Sequence, residues 1–191
     1  MYSPNAGEEI VHISGAVRAV ENLLRYAFNK KTLLEEALTH PSYTEAPSYG
    51  RLQFLGDSVL RNAVTYALFL AFPDLDPGQF SLLISANLST ERLARVSVRR
   101  GLHRYIRHAM NNEFDEVNKF ALAVQEEDAT AVHGAEVRAP NVLAEIVQSV
   151  AGAVYDDCNF DLQVFWTVNI WESAGANGLI SDPYNRCNVV K

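Results

Sequence analysis

GRLQFLGDSVL, residues 50–60, is the stretch that decides how this chain is read. It reads as part of a helix with a short polar face, on which Gln53 and Asp57 stand four residues apart and point the same way. Two acids at that spacing would signal a metal site, yet here one of the pair is a neutral carboxamide. Gly56 lies mid-helix between apolar turns, where glycine costs about 1 kcal/mol relative to alanine. That cost implies the close approach of another backbone. The helical pattern continues over 51–72 and meets no breaker until Pro73. Past residue 59 it is apolar on nearly all sides, which predicts a helix buried through the middle of a bundle.

A second stretch, NVLAEIVQSVAGAVYDD (141–157), repeats the theme. Pro140 suits the first turn of a helix, Ala151-Gly152-Ala153 suits close helix contact, and Glu145 and Gln148 share a face at i, i+3. If the two helices meet, four oxygen-bearing side chains converge. Oxygen ligands on facing helices suit Mg²⁺ or Mn²⁺, and a two-metal site can cut a phosphodiester by in-line displacement. Spacing alone does not establish this, because a Gln or Glu on a helix is usually just solvated.

The remaining patterns are also helical. GAVRAVENLLRYAF (15–28) places Val17, Val20, Leu23, Leu24 and Phe28 on one side. KKTLLEEALTH (30–40) is ended by His40-Pro41, and a loop with Pro47, Ser48, Tyr49 and Gly50 follows. FPDLDPGQF (72–80) is a turn. Helices are expected at 79–87 and 89–100, the second capped by Ser89 with Glu91 in its first turn. The segment 111–138 is acidic, and 125–138 reads as loop. DLQVFWTVNIW (161–171) is a last amphipathic helix, with Trp166 and Trp171 as packing or interface residues. No strand alternation persists. The reading is one all-α helical bundle over 15–172, with tails at 1–14 and 173–191.

The 191 residues carry a formal charge of −7. The chain therefore lacks the overall basic field that drives sequence-independent binding to phosphate backbones. The one concentrated basic region holds Arg92, Arg95, Arg99, Arg100, Arg104 and Arg107, with His103 and His108. Arg95, Arg99 and Arg100 are its candidate RNA contacts; a solvated face partly paired with the acidic segment is the alternative. Cys158 and Cys187 form neither a disulfide framework nor a metal motif, which favours a reducing compartment. No secretory signal or bilayer-spanning stretch is visible, so an intracellular, soluble chain without membrane contact is expected.

The octapeptide Gly50-Arg51-Leu52-Gln53-Phe54-Leu55-Gly56-Asp57 resembles the ribonuclease III signature, which usually reads Glu-Arg-Leu-Glu-Phe-Leu-Gly-Asp. Thr39-His40-Pro41-Ser42 is similar to that family's Thr-His-x-Ser element, in which the histidine has a structural character. Phe72-Pro73 with Asp76-Pro77-Gly78 resembles its turn. Leu143-Ala144-Glu145-Ile146-Val147-Gln148-Ser149 resembles its second acidic motif, usually Leu-Ala-Asp-x-x-Glu-Ala. Order and spacing agree from about residue 18 to 172.

The resemblance implies an all-α endonuclease domain acting on double-stranded or structured RNA with Mg²⁺ or Mn²⁺. It implies a homodimer, or a heterodimer with a related chain, and Phe54 matches the aromatic residue inserted into the partner subunit. The family's metal-binding acids map onto Gln53, Asp57, Glu145 and Gln148, of which Asp57, Glu145 and Gln148 hold the catalytic positions. The first signature Glu falls on Gly50, and an acid near the turn falls on Pro77. No double-stranded-RNA-binding domain is visible after residue 172. Two ligand acids have become amides, and Glu145 replaces an Asp. An amide brings no charge and cannot serve as a base. Two expectations therefore stand side by side: a weakened divalent-metal endonuclease, or a non-catalytic RNA-binding or assembly protein. In the second, the amides hydrogen-bond across to Asp57 and Glu145.

Overall fold

The structure is a computed structural model in which residues 12–109, 113–130 and 137–168 are described. Its elements are α1 (His12–Leu24), α2 (Lys31–Ala37), α3 (Gly50–Ala71), α4 (Pro77–Asn87), α5 (Thr90–Arg99), a 3₁₀ turn (Leu102–Tyr105), α6 (Glu113–Thr130), α7 (Asn141–Asp157) and α8 (Leu162–Thr167). Among the described residues there is no strand, only one isolated parallel bridge between Thr39 and Arg107. The all-α expectation holds.

The central pair is α3 crossing α7. Along α7, Leu143, Ile146, Val147, Val150, Ala151, Ala153 and Val154 are all buried, so apolar residues cover most of its circumference. Such a helix is stable only with neighbours on most sides. On α3 the buried residues recur as Leu52, Gly56, Val59, Leu60, Ala63, Val64, Ala67 and Leu68, a single stripe at helical spacing. Here the structure corrects the sequence. α3 is not buried all round: Phe69 is 67% exposed and Tyr66 and Leu70 also face outward, leaving an apolar face uncovered in the single chain.

Two glycines set the crossing. A Cβ on Gly56 would overlap the Gln148 carbonyl oxygen and stand 2.9 Å from the Gly152 amide nitrogen. A Cβ on Gly152 would overlap the Leu52 carbonyl oxygen. Backbone therefore meets backbone at this point, and the expectation drawn from Gly56 is met.

Several boundaries moved for local reasons. α1 starts at His12, inside the expected tail, and stops at Leu24 rather than residue 28. Arg25 takes a positive φ of 52°, and the Glu21 carboxylate accepts from the Phe28 amide, so Phe28 reaches the core from a turn. α4 begins earlier than expected, on a reciprocal cap: Asp76 accepts from Gly78 and Gln79, while the Asp76 amide donates to Gln79 Oε1. Ser89 caps α5 as expected, accepting from the Arg92 amide. The stretch read as loop from residue 125 is helical as far as Thr130 in α6. α8 ends at Thr167, and Trp171, Cys187 and the tail 173–191 lie outside the described residues. Asp157, buried at the end of α7, accepts from the Tyr26 hydroxyl and from the Asn29 and Lys30 amides. It thereby satisfies donors at the start of α2 that the helix cannot satisfy itself.

Candidate functional site

Where α3 crosses α7, three of the four expected side chains form one hydrogen-bonded chain. Gln53 Nε2 donates to Gln148 Oε1 at 3.0 Å, and Gln148 Nε2 donates to Asp57 Oδ1 at 2.8 Å. Asp57 dictates the direction. An ionised carboxylate only accepts, so Gln148 must turn its NH₂ toward Asp57 and its carbonyl toward Gln53. All three side chains are half-buried.

The fourth position departs from the expectation. The amides do not reach Glu145; its Oε2 accepts instead from the Tyr49 hydroxyl at 2.6 Å. Tyr49 is 3% exposed and lies just before α3, with the His40 ring edge-on at 5.5 Å. Burial pushes the Tyr49 phenol well above its ordinary value, and the hydrogen bond to Glu145 and that carboxylate's charge add to the shift. The phenol therefore stays protonated and remains a donor. Sequence reasoning placed Tyr49 in a loop and missed it. Its one signal is a tyrosine beside the helix start, and no spacing rule connects it to residue 145. Glu145 also lines a cleft of about 740 Å³ with His40, Glu116, Lys119, Arg138 and Asn141. The chain of three is not part of that lining.

This donor set does not fit a pair of Mg²⁺ or Mn²⁺ ions. Such ions need several carboxylates or substrate phosphates to replace the water they surrender. Here two carboxylates remain, and each already accepts a hydrogen bond. The N–H of Gln148 points at Asp57 where a cation would have to approach, presenting positive hydrogen to positive charge. Among the described residues, no three His, Cys, Asp or Glu side chains come together in a way that could hold a metal ion.

The other expected residues fall elsewhere. Phe54, one residue along α3 from Gln53, is 77% exposed and points away from the core. Arg95 pairs with Glu91 at 2.8 Å and with Glu127, and lies 5.7 Å from the Phe120 ring centroid. Arg99 makes a two-pronged bond to Asp128, at 3.0 Å and 2.7 Å. The two pairs are the physical reason α6 extends past residue 125: its acids face the arginines of α5. Arg100 caps the C-terminus of α5 and is half-buried. His40 shares its Nδ1 with the Ser42 hydroxyl at 2.9 Å, a structural contact within its own turn. Trp166 is buried in the core.

The profile of the Ribonuclease III domain matches residues 50–159. Over 154 residues the chain is 47% identical to Ribonuclease 3-like protein 2 of Arabidopsis thaliana, covering 80% of this chain and 39% of that protein. It is also 47% identical over 162 residues to Ribonuclease 3-like protein 2 of Oryza sativa subsp. japonica, covering 82% and 51%. The chain thus spans 39% and 51% of the length of these two relatives. It is 35% identical over 149 residues to Endoribonuclease Dicer homolog 3 of Arabidopsis thaliana, covering 78% of this chain and 9% of that protein. Among solved structures, the nuclease domain of ribonuclease III from Campylobacter jejuni, described for structural flexibility in a region involved in dimer formation, superposes with a TM-score of 0.59 at 26% identity. The match covers 78% of this chain and 92% of that one. A second structure of that nuclease domain gives a TM-score of 0.56 over the same shares.

Proposed function

Since this chain belongs to the ribonuclease III family, a family of double-stranded-RNA-processing nucleases, we propose that it engages double-stranded or structured RNA while cleaving it poorly or not at all. The observation that carries this reading is the chain Gln53 to Gln148 to Asp57. Where the family resemblance puts acids, this protein has two amides that satisfy one another and the one acid left among them. Hydrolysis of a phosphodiester needs a water made nucleophilic, either by a bound metal or by a base in reach. Gln148 is neither, and its N–H lies against the acid that would serve. The charge at the four positions has fallen from about −4 to −2. At about 1.5–3 kcal/mol for each hydrogen bond to a charged group that is lost, the site is short by a factor of 10 or more for each substitution.

The proposed unit is the ribonuclease III-like domain over 15–172, paired with a second copy or a related chain through Phe54. Exposure of Phe54 near the start of α3, and of Tyr66, Phe69 and Leu70 near its end, supports such pairing. In a mixed pair the related chain would bring the carboxylates this one lacks. Mg²⁺ or Mn²⁺ belongs to that charged site. Arg95, Arg99 and Arg100 are proposed to contribute to RNA binding only when phosphates compete successfully with Glu127 and Asp128.

Fluorescence anisotropy with labelled long double-stranded RNA, read beside a denaturing gel of the same samples, tests the reading. Binding without products in Mg²⁺ or Mn²⁺, with products appearing for a Gln53→Glu/Gln148→Glu variant, is the expected result. Absence of RNA binding by both proteins would reject it in favour of an assembly role with a protein partner.

A further inference from the structure

Recharging the two glutamines leaves the site incomplete, because its other acid is held separately. We infer that Tyr49 is a positioning residue that keeps Glu145 out of the Asp57 group and so weakens the hold this site can have on a cation. The inference rests on the reading above, that amides have replaced a charged ligand set, and extends it to a residue outside that set.

Hydrogen bonding divides the four positions in two. Gln53, Gln148 and Asp57 are linked to one another, whereas Glu145 is linked to Tyr49. Glu145 lines the cleft beside His40 and Asn141, and the other three do not. Tyr49 cannot easily follow a moving carboxylate. Its amide donates to the Thr39 carbonyl at 2.9 Å, and its own carbonyl accepts from the Gln53 amide at 2.8 Å. Its ring is buried, with His40 against it. A hydroxyl donating to a carboxylate at 2.6 Å is a charge-assisted bond. Drawing Glu145 toward a cation would break that bond and leave a buried phenol without its acceptor. The same geometry explains the length of residue 145. Glu is one methylene longer than the Asp usual at this position, and the added reach lets the carboxylate meet Tyr49. The departure from Asp and the presence of Tyr49 thus belong to one arrangement.

The test is Mn²⁺ binding followed by electron paramagnetic resonance, with no RNA present. It compares the unaltered chain, Gln53→Glu/Gln148→Glu, and that double variant with Tyr49→Phe added. Phenylalanine keeps the ring and removes only the donor. The double variant with Glu145→Asp is a fourth arm, which withdraws the carboxylate from Tyr49 and leaves the ring and its hydroxyl in place. Both triple variants are expected to bind Mn²⁺ roughly tenfold more tightly than the double variant. Equal affinity of the double variant and both triples would overturn the role given to Tyr49. Tight binding by the unaltered chain would instead overturn the underlying reading, so the two failures are separable. Should Tyr49→Phe lower the melting temperature sharply, the Glu145→Asp arm decides.

Discussion

Gly56→Ala probes the feature on which the site depends, the contact of α3 with α7. The new Cβ would overlap the Gln148 carbonyl and stand 2.9 Å from the Gly152 nitrogen, both backbone atoms that cannot rotate away. To reach ordinary contact the helices must part by about 2 Å at the crossing. Overpacking of this kind costs about 1–3 kcal/mol. Parting also stretches the Gln53–Gln148 and Gln148–Asp57 bonds, now 3.0 and 2.8 Å, each worth about 1 kcal/mol net. Alanine returns about 1 kcal/mol through its better helix propensity. The net loss is about 2–4 kcal/mol, which in a chain of this length lowers the melting temperature by roughly 4–16 °C. Circular dichroism during urea and thermal unfolding measures it. Gly50→Ala is the control, since a Cβ there meets nothing within 4 Å, and its effect should stay within about 0.5 kcal/mol. If Gly56→Ala melts together with Gly50→Ala, the close crossing is refuted.

Three further outcomes follow from named contacts. Burial raises the Asp157 carboxyl, but bonds from the Asn29 and Lys30 amides, the Tyr26 hydroxyl and the Asn29 side chain outweigh it and hold the group below its ordinary range. A depressed folded-state value means the contribution is complete above the unfolded-state value, about 3.9, and is lost as pH falls through the folded-state value. Asp157→Asn should therefore cost about 1–3 kcal/mol at neutral pH and flatten the fall of stability below pH 4; a denaturation series that falls as steeply as before would exclude this. Phe54→Glu should shift the chain toward monomer in sedimentation velocity, and an unchanged dimer would remove Phe54 from the interface. Glu127→Gln with Asp128→Asn releases Arg99 and leaves Arg95 paired with Glu91 alone, so RNA affinity should rise severalfold and its salt dependence steepen. An unaltered salt slope would take those arginines off the RNA surface.

What could be read from sequence, and what could not, divides along the range of the interactions. α7 matched residues 141–157 because its apolar pattern, Pro140 and the following acids are all local signals. Gly56 disclosed a backbone contact because its helix cost needs a reason. The start of α4 is also local, since Asp76 and Gln79 form a reciprocal cap spaced three apart. α6 was lost after residue 125 because its last turns rest on partners in another helix, Arg95 and Arg99. Tyr49 was beyond reach for the same reason, since its partner is 96 residues away. The meeting of α3 and α7 stood only as a condition on two polar faces, and the structure shows it. The division of those faces into a chain of three and a separate pair depends on side-chain reach, which spacing does not encode.

We propose that the architecture is retained while the charge its chemistry needs is half gone. Single-turnover cleavage of long double-stranded RNA in Mg²⁺, with protein in excess and RNA saturated, tests it when the unaltered chain is run against Asp57→Ala. Both are expected to bind the RNA and to cleave it at the same rate, near background. A rate for the unaltered chain that collapses in Asp57→Ala would contradict it, because Asp57 would then be working in a site that still cuts.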